Sequence, residues 1–96
     1  MIIIREIFTC KPGQASKFAR LMLDIMKEFY PNEKIRIMTD VVGPFNTVVM
    51  ETQANNLAEI DQRIASYKYN TAMHERMKNY TEMYMTGSRE VFQTFE

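Results

Sequence analysis

The run Arg36–Thr52, RIMTDVVGPFNTVVMET, decides the architecture, because two β-rich segments meet in it at a single Gly-Pro punctuation. Val41, Val42, Val48 and Val49 are β-branched and sit well on a pleated surface, whereas Gly43-Pro44 cannot continue a ladder without a turn or bulge. The run reads as an antiparallel hairpin, expected in the middle of a sheet.

Working back toward residue 1, Ile2–Cys10 reads as a strand with Ile3 and Ile7 flanking Arg5 on one face and Ile2, Ile4, Glu6 and Phe8 on the other. Both faces are largely apolar, so both are expected to be covered. Lys11-Pro12-Gly13 breaks the strand, and Pro12 suits a helix's first turn. Ala15, Phe18, Ala19, Met22, Ile25, Met26 and Phe29 then recur at three- and four-residue spacings, an amphipathic helix stopped by Pro31-Asn32. Beyond the hairpin, Gln53-Ala54-Asn55-Asn56 offers amide caps to a second helix with Leu57, Ile60, Ile64 and Tyr67 on its apolar edge. The phase is lost around Tyr67–Thr71 and resumes as Met73, Met77, Tyr80 and Tyr84, which predicts a kink or short break. Gly87 is expected to end that later segment in a left-handed conformation, and Arg89–Phe95 to form the last strand.

The order strand, helix, strand, strand, helix, strand is the α+β, ferredoxin-like βαββαβ arrangement, a four-stranded antiparallel sheet in one domain over residues 1–96. With both helices on one face, the other face would leave a large apolar patch in water. A homodimer closed sheet-to-sheet hides both patches.

Composition narrows the partners. Twelve basic residues balance twelve acidic ones, so no net field draws nucleic acid or an anionic membrane. The apolar run Ile2–Ile4 is interrupted by Arg5-Glu6 and is neither a signal peptide nor a membrane span, and Cys10 is the single cysteine; a cytoplasmic protein with a reduced thiol is expected. Nine methionines suggest an adaptable interior. With no metal-ligand cluster, nucleophile motif or phosphate loop, neither a metal nor a cofactor is expected.

His74 is the one side chain whose unperturbed pKa lies near neutrality, which makes it the candidate general base; its dull alternative is a half-solvated boundary residue. Tyr67 is the second catalytic candidate. Tyr67, Tyr69, Tyr80 and Tyr84, with Phe18 and Phe29, could line a cleft for a planar aromatic ligand, or simply pack as core with hydroxyls at the rim. Arg5 or Arg89 could hold an acidic or enolic oxygen of a ligand; with Glu6, Arg36, Asp40, Glu51 and Glu90 also in strand runs, cross-strand and intersubunit ion pairing is the preferred reading. Cys10, with no histidine or second cysteine near it in sequence, reads as a packing thiol.

Three features together, PGQ at Pro12–Gln14, TDVVGPFNTVVME at Thr39–Glu51 and GSREVF at Gly87–Phe92, resemble a NIPSNAP-like member of the dimeric α+β barrel superfamily. The resemblance spans essentially the whole chain and implies a homodimer with a small apolar pocket between sheet and helices in each subunit. Relatives in that superfamily include cofactor-independent oxygenases, haem-degrading oxygenases, polyketide cyclases and muconolactone isomerases, and fold analogy alone does not choose among them. His74 matches a helix histidine of the haem-degrading relatives, but this chain has no tryptophan and no asparagine within Met1–Cys10, so that arrangement is not expected. The functional expectation is a homodimer that binds a hydrophobic or aromatic small molecule, with oxygenase, cyclase or isomerase chemistry as its enzymatic form. The alternative is a non-catalytic dimeric scaffold.

Overall fold

The computed structural model describes residues 1–95. Its elements are β1 (Ile2–Cys10), α1 (Ala15–Phe29), β2 (Ile35–Thr39), β3 (Thr47–Ala54), α2 (Leu57–Tyr69), α3 (Thr71–Arg76), a single 3₁₀ turn (Tyr80–Glu82) and β4 (Tyr84–Gln93). The strands form one antiparallel sheet in the order β2-β3-β1-β4. This is the ferredoxin-like α+β arrangement, in which each helical crossover joins two non-adjacent parallel strands.

Strand alternation divides the sheet cleanly. Ile4, Glu6 and Phe8 of β1 share the helix-covered face with Val48, Met50 and Thr52 of β3 and with Gly87, Arg89 and Val91 of β4. Ile3, Arg5 and Ile7 share the other face with Val49, Glu51, Met38 and Phe92. On the helix side, Phe18, Met22 and Met26 of α1 pack with Cys10, Val48 and Met50 as the main core. Phe8 and Phe18 meet edge-on with centroids 4.8 Å apart, and Tyr84 joins both rings at 5.1 and 5.8 Å. A smaller cluster, Ile4, Ala54 and Ile60, seats α2 at the far end.

Asn56 caps α2 by accepting from Glu59 N at 3.0 Å, and Glu59 reaches back to Asn55 N at 2.8 Å. The expected break after Tyr67 is real and has a cause. Asn70 ends α2 and restarts the backbone as the cap of α3, its Oδ1 accepting from Met73 N at 2.9 Å.

Several expectations need correction. The hairpin is not wholly central: β3 is interior, but β2 is an edge strand. Val41 and Val42 lie in the connection, each 95% exposed, because the ladder stops at Thr39 and resumes only at Thr47. Pro12 precedes the helix, standing in a turn before Gln14, which occupies the cap position. Gly87 does not end a helix; it sits inside β4 opposite Phe8, where a Cβ would come within 3.2 Å of the Phe8 ring. β4 accordingly begins at Tyr84 rather than Arg89, and Tyr84 belongs to a strand although it continues the helical spacing of Met77 and Tyr80.

Candidate functional site

The site follows from unequal coverage of the sheet. α1 lies mainly over β2 and β3, and α2 touches β3, so the helix-side face of β4 has little above it. The space left over β1 and β4 is a cavity of about 720 Å³. Its floor is Glu6 and Phe8 of β1, Met50 of β3 and Arg89 of β4; α1 supplies Met22, Ile25 and Met26, and α2 supplies Ile64, Tyr67 and Lys68. Met73, His74, Met77 and Tyr80 close it from the broken helical segment. The walls are mostly apolar and five of the lining residues are methionine.

Tyr67 contributes its ring, packed edge-on against Tyr30 at 5.0 Å between centroids. Its hydroxyl is sealed in the wall without a hydrogen-bond partner; Arg63 Nε, one helical turn earlier, is likewise buried and unpartnered. Burial is the main reason its pKa is pushed far above the ordinary phenol value, so the group stays protonated and is no general base at neutral pH. Burial likewise raises Tyr80, which stacks obliquely on Tyr84.

His74 lies at the mouth, exposed to solvent. Its Nε2 is 2.7 Å from the Tyr67 carbonyl oxygen at the end of α2. A carbonyl only accepts, so Nε2 carries the proton and Nδ1 is the accepting nitrogen of the neutral ring. The same bond satisfies one of the last carbonyls of α2, which gives His74 a capping role as well.

The arginines separate. Arg89 Nε donates to Glu6 Oε1 at 2.6 Å, and both side chains line the cavity. Arg5 lies on the opposite face of the sheet, where its Nε donates to Glu51 Oε1 at 3.0 Å and its guanidinium stands 5.6 Å from the Phe92 ring centre. Arg36 Nε donates to the other Glu51 oxygen at 2.8 Å, and Arg36 Nη2 reaches the same atom. Glu51 is only 5% exposed, covered by these two arginines rather than sunk in an apolar core. The hydrogen bonds from Arg36 and then Arg5 hold its carboxyl below the ordinary range.

Of the nine site candidates named from the sequence, His74, Tyr67, Tyr80 and Arg89 meet around the cavity, and Tyr84 and Phe29 stand outside its lining. Phe18 is fully buried beneath it in the core. Tyr69 is 74% exposed outside it, with the Lys68 ammonium 5.6 Å from its ring centre, and Arg5 is on the far face. Glu6 is the site residue that sequence reasoning passed over as one more strand charge. The signal needed was register: only the pairing Glu6↔Arg89 across β1 and β4 puts the two charges side by side under the helices. Among the described residues no cluster of His, Cys, Asp and Glu suits a metal ion, and burial raises the Cys10 thiol pKa, leaving it a core residue. No helix is long and apolar enough to cross a membrane.

No protein-family model matches the chain, and no curated protein matches it by sequence. Solved structures do match in three dimensions. A NIPSNAP family protein from Agrobacterium tumefaciens superposes with a TM-score of 0.83 at 11% identity, covering 99% of this chain and 93% of that one. A NIPSNAP-like domain protein from Burkholderia xenovorans gives 0.84 at 18% identity, covering 98% and 84%. A proposed antibiotic biosynthesis monooxygenase from Deinococcus radiodurans gives 0.72 at 11% identity, covering 100% and 94%. Sheet order, helix placement and these superpositions converge on one statement: the chain has the ferredoxin-like α+β fold that these NIPSNAP family structures share.

Proposed function

We propose that the protein is a homodimeric small-molecule-binding protein whose ligand, a hydrophobic or aromatic compound, occupies the cavity between sheet and helices. The observation that carries this reading is the cavity itself. At about 720 Å³, with methionine and aromatic walls and a few polar groups, it lies inside the ~300–1,000 Å³ range of small-molecule sites. A solidly packed interior would have favoured a pure scaffold. Support for the dimer comes from the open sheet face, where Ile3, Ile7, Met38, Val49 and Phe92 surround the Arg5–Glu51–Arg36 triad. A second copy facing it would bury these side chains under a twofold, self-complementary closure.

In an enzymatic form, the reaction begins with removal of a proton from an activated C–H or O–H of the ligand, the step shared by cofactor-independent oxygenation, cyclisation and isomerisation. The monooxygenase name carried by the Deinococcus structure is in keeping with that class. His74 Nδ1 is the acceptor for such a proton, since the Tyr67 phenol holds its own. The scaffold reading draws on the exposure of His74 and its engagement with a helix-end carbonyl, which give it a structural occupation without any ligand.

Native mass spectrometry of untagged protein, followed by denaturation and analysis of released compounds, tests both parts. A dimer carrying a stoichiometric organic ligand is expected. A dimer that neither retains nor takes up any hydrophobic compound favours the scaffold, and a stable monomer overturns the proposed assembly.

A further inference from the structure

The polar end of the cavity has a chemistry of its own. Glu6 and Arg89 stand directly opposite each other on β1 and β4, so their positions are fixed by the sheet ladder. Arginine and carboxylate commonly pair through two parallel bonds. Here the contact is a single one, Arg89 Nε to Glu6 Oε1 at 2.6 Å. Among the described residues, Glu6 Oε2 and both Arg89 Nη atoms make no hydrogen bond to protein. The pair therefore presents an unused acceptor beside unused donors at the wall of an apolar chamber. The two charges cancel, so the pair exerts little net pull on an anion. A carboxylate ligand would have to draw Arg89 away from Glu6, whose side chain is only 17% exposed, and would leave that partly buried charge unpaired. On the strand floor, among the described residues, no other polar side chain competes, and across the cavity Tyr67 Oη is sealed within the wall while Lys68 and His74 belong to the helical side.

From this geometry we infer that the Glu6–Arg89 pair is a recognition site for an uncharged ligand group bearing an adjacent hydrogen-bond donor and acceptor, such as a primary amide or a hydroxy-ketone, attached to an apolar body. The donor of the ligand faces Glu6 Oε2 and its acceptor faces Arg89. The inference rests on the reading of the cavity as a ligand site and specifies what that site selects.

Binding of naphthamide, naphthoate and ethylnaphthalene, all substituted at the same ring carbon, tests it by calorimetry or ligand fluorescence. The apolar body is constant and only the polar group changes. The wild-type protein is expected to bind naphthamide about tenfold more tightly than ethylnaphthalene, the span of one or two net hydrogen bonds. The double variant Glu6→Met/Arg89→Met should lose that preference while binding ethylnaphthalene at least as well. Arg89→Lys, a milder change on an exposed edge strand, keeps the charge but removes the planar fork, and should lose most of the preference too. Naphthoate as the tightest ligand, naphthamide no better than ethylnaphthalene, or a preference that survives these variants overturns the inference while leaving the cavity a binding site. Failure of all three compounds to bind overturns the cavity reading, and the inference with it.

Discussion

The two faces of the sheet are built from similar amounts of apolar side chain and end in different states. Under the helices, Phe8, Val48 and Met50 meet Phe18 and Met22 in a packed core, interrupted by the cavity where β4 runs out from beneath α1. On the open face Ile3, Ile7, Met38 and Val49 remain partly exposed, and Phe92 is 47% exposed. Yet that face also holds the most sheltered carboxylate of the sheet, Glu51, already neutralised by two arginines. One face is closed by its own chain; the other has its charge settled in advance, which lowers the cost of covering it with something apolar.

The sharpest way to break the comparison is at Phe18. It is fully buried and contacts the Phe8 and Tyr84 rings, so Phe18→Ala should cost about 3–5 kcal/mol, read by denaturant titration. Val49→Lys on the open face tests the opposite side. It should leave the fold of a single chain largely intact but cost the proposed dimer about 3 kcal/mol by burying an unpaired charge, read as dissociation in sedimentation experiments.

Glu51 gives a smaller effect with a definite pH signature. Its folded pKa is lowered, so its contribution is present above the ordinary carboxylate pKa and is lost as pH falls through the lowered value. Glu51→Gln should therefore destabilise by about 1–2 kcal/mol near neutrality, discounted because both arginines are partly exposed, and should flatten the acid limb of the stability curve. The smallest change is expected at Tyr67→Phe. Removing a sealed hydroxyl that has no partner should shift stability by under about 0.5 kcal/mol, or raise it, in thermal melts.

How far these features were legible in the sequence depends on range. The α1 stripe and the break before α3 are local, and spacing alone found them; the amide run Gln53–Asn56 marked the start of α2 by residue type without choosing Asn56 as its cap. Gly87 misled because its local setting, after Met77, Tyr80 and Tyr84 at helical intervals, resembles a helix end; its strand conformation comes from pairing with β1, a partner nearly eighty residues away in the chain. Val41 and Val42 misled in the same manner, since β-branching favours a strand but no neighbour extends the ladder past Thr39. In the site, the histidine and tyrosines stood out by residue type. The Glu6–Arg89 juxtaposition and the difference between Arg5 and Arg89 depend on which way each strand residue points, and only the register supplies that.

The methionine lining carries one more consequence. Met22, Met26, Met50 and Met73 are buried and Met77 partly so, and unbranched thioethers can re-pack around guests of different outline without disturbing the strands behind them. Where the cavity admits an oxidant, the same thioethers can be oxidised. A sulfoxide at any of them would set a polar, chiral group into a greasy wall, so an oxidised sample should stop taking up apolar compounds while its sheet is still intact.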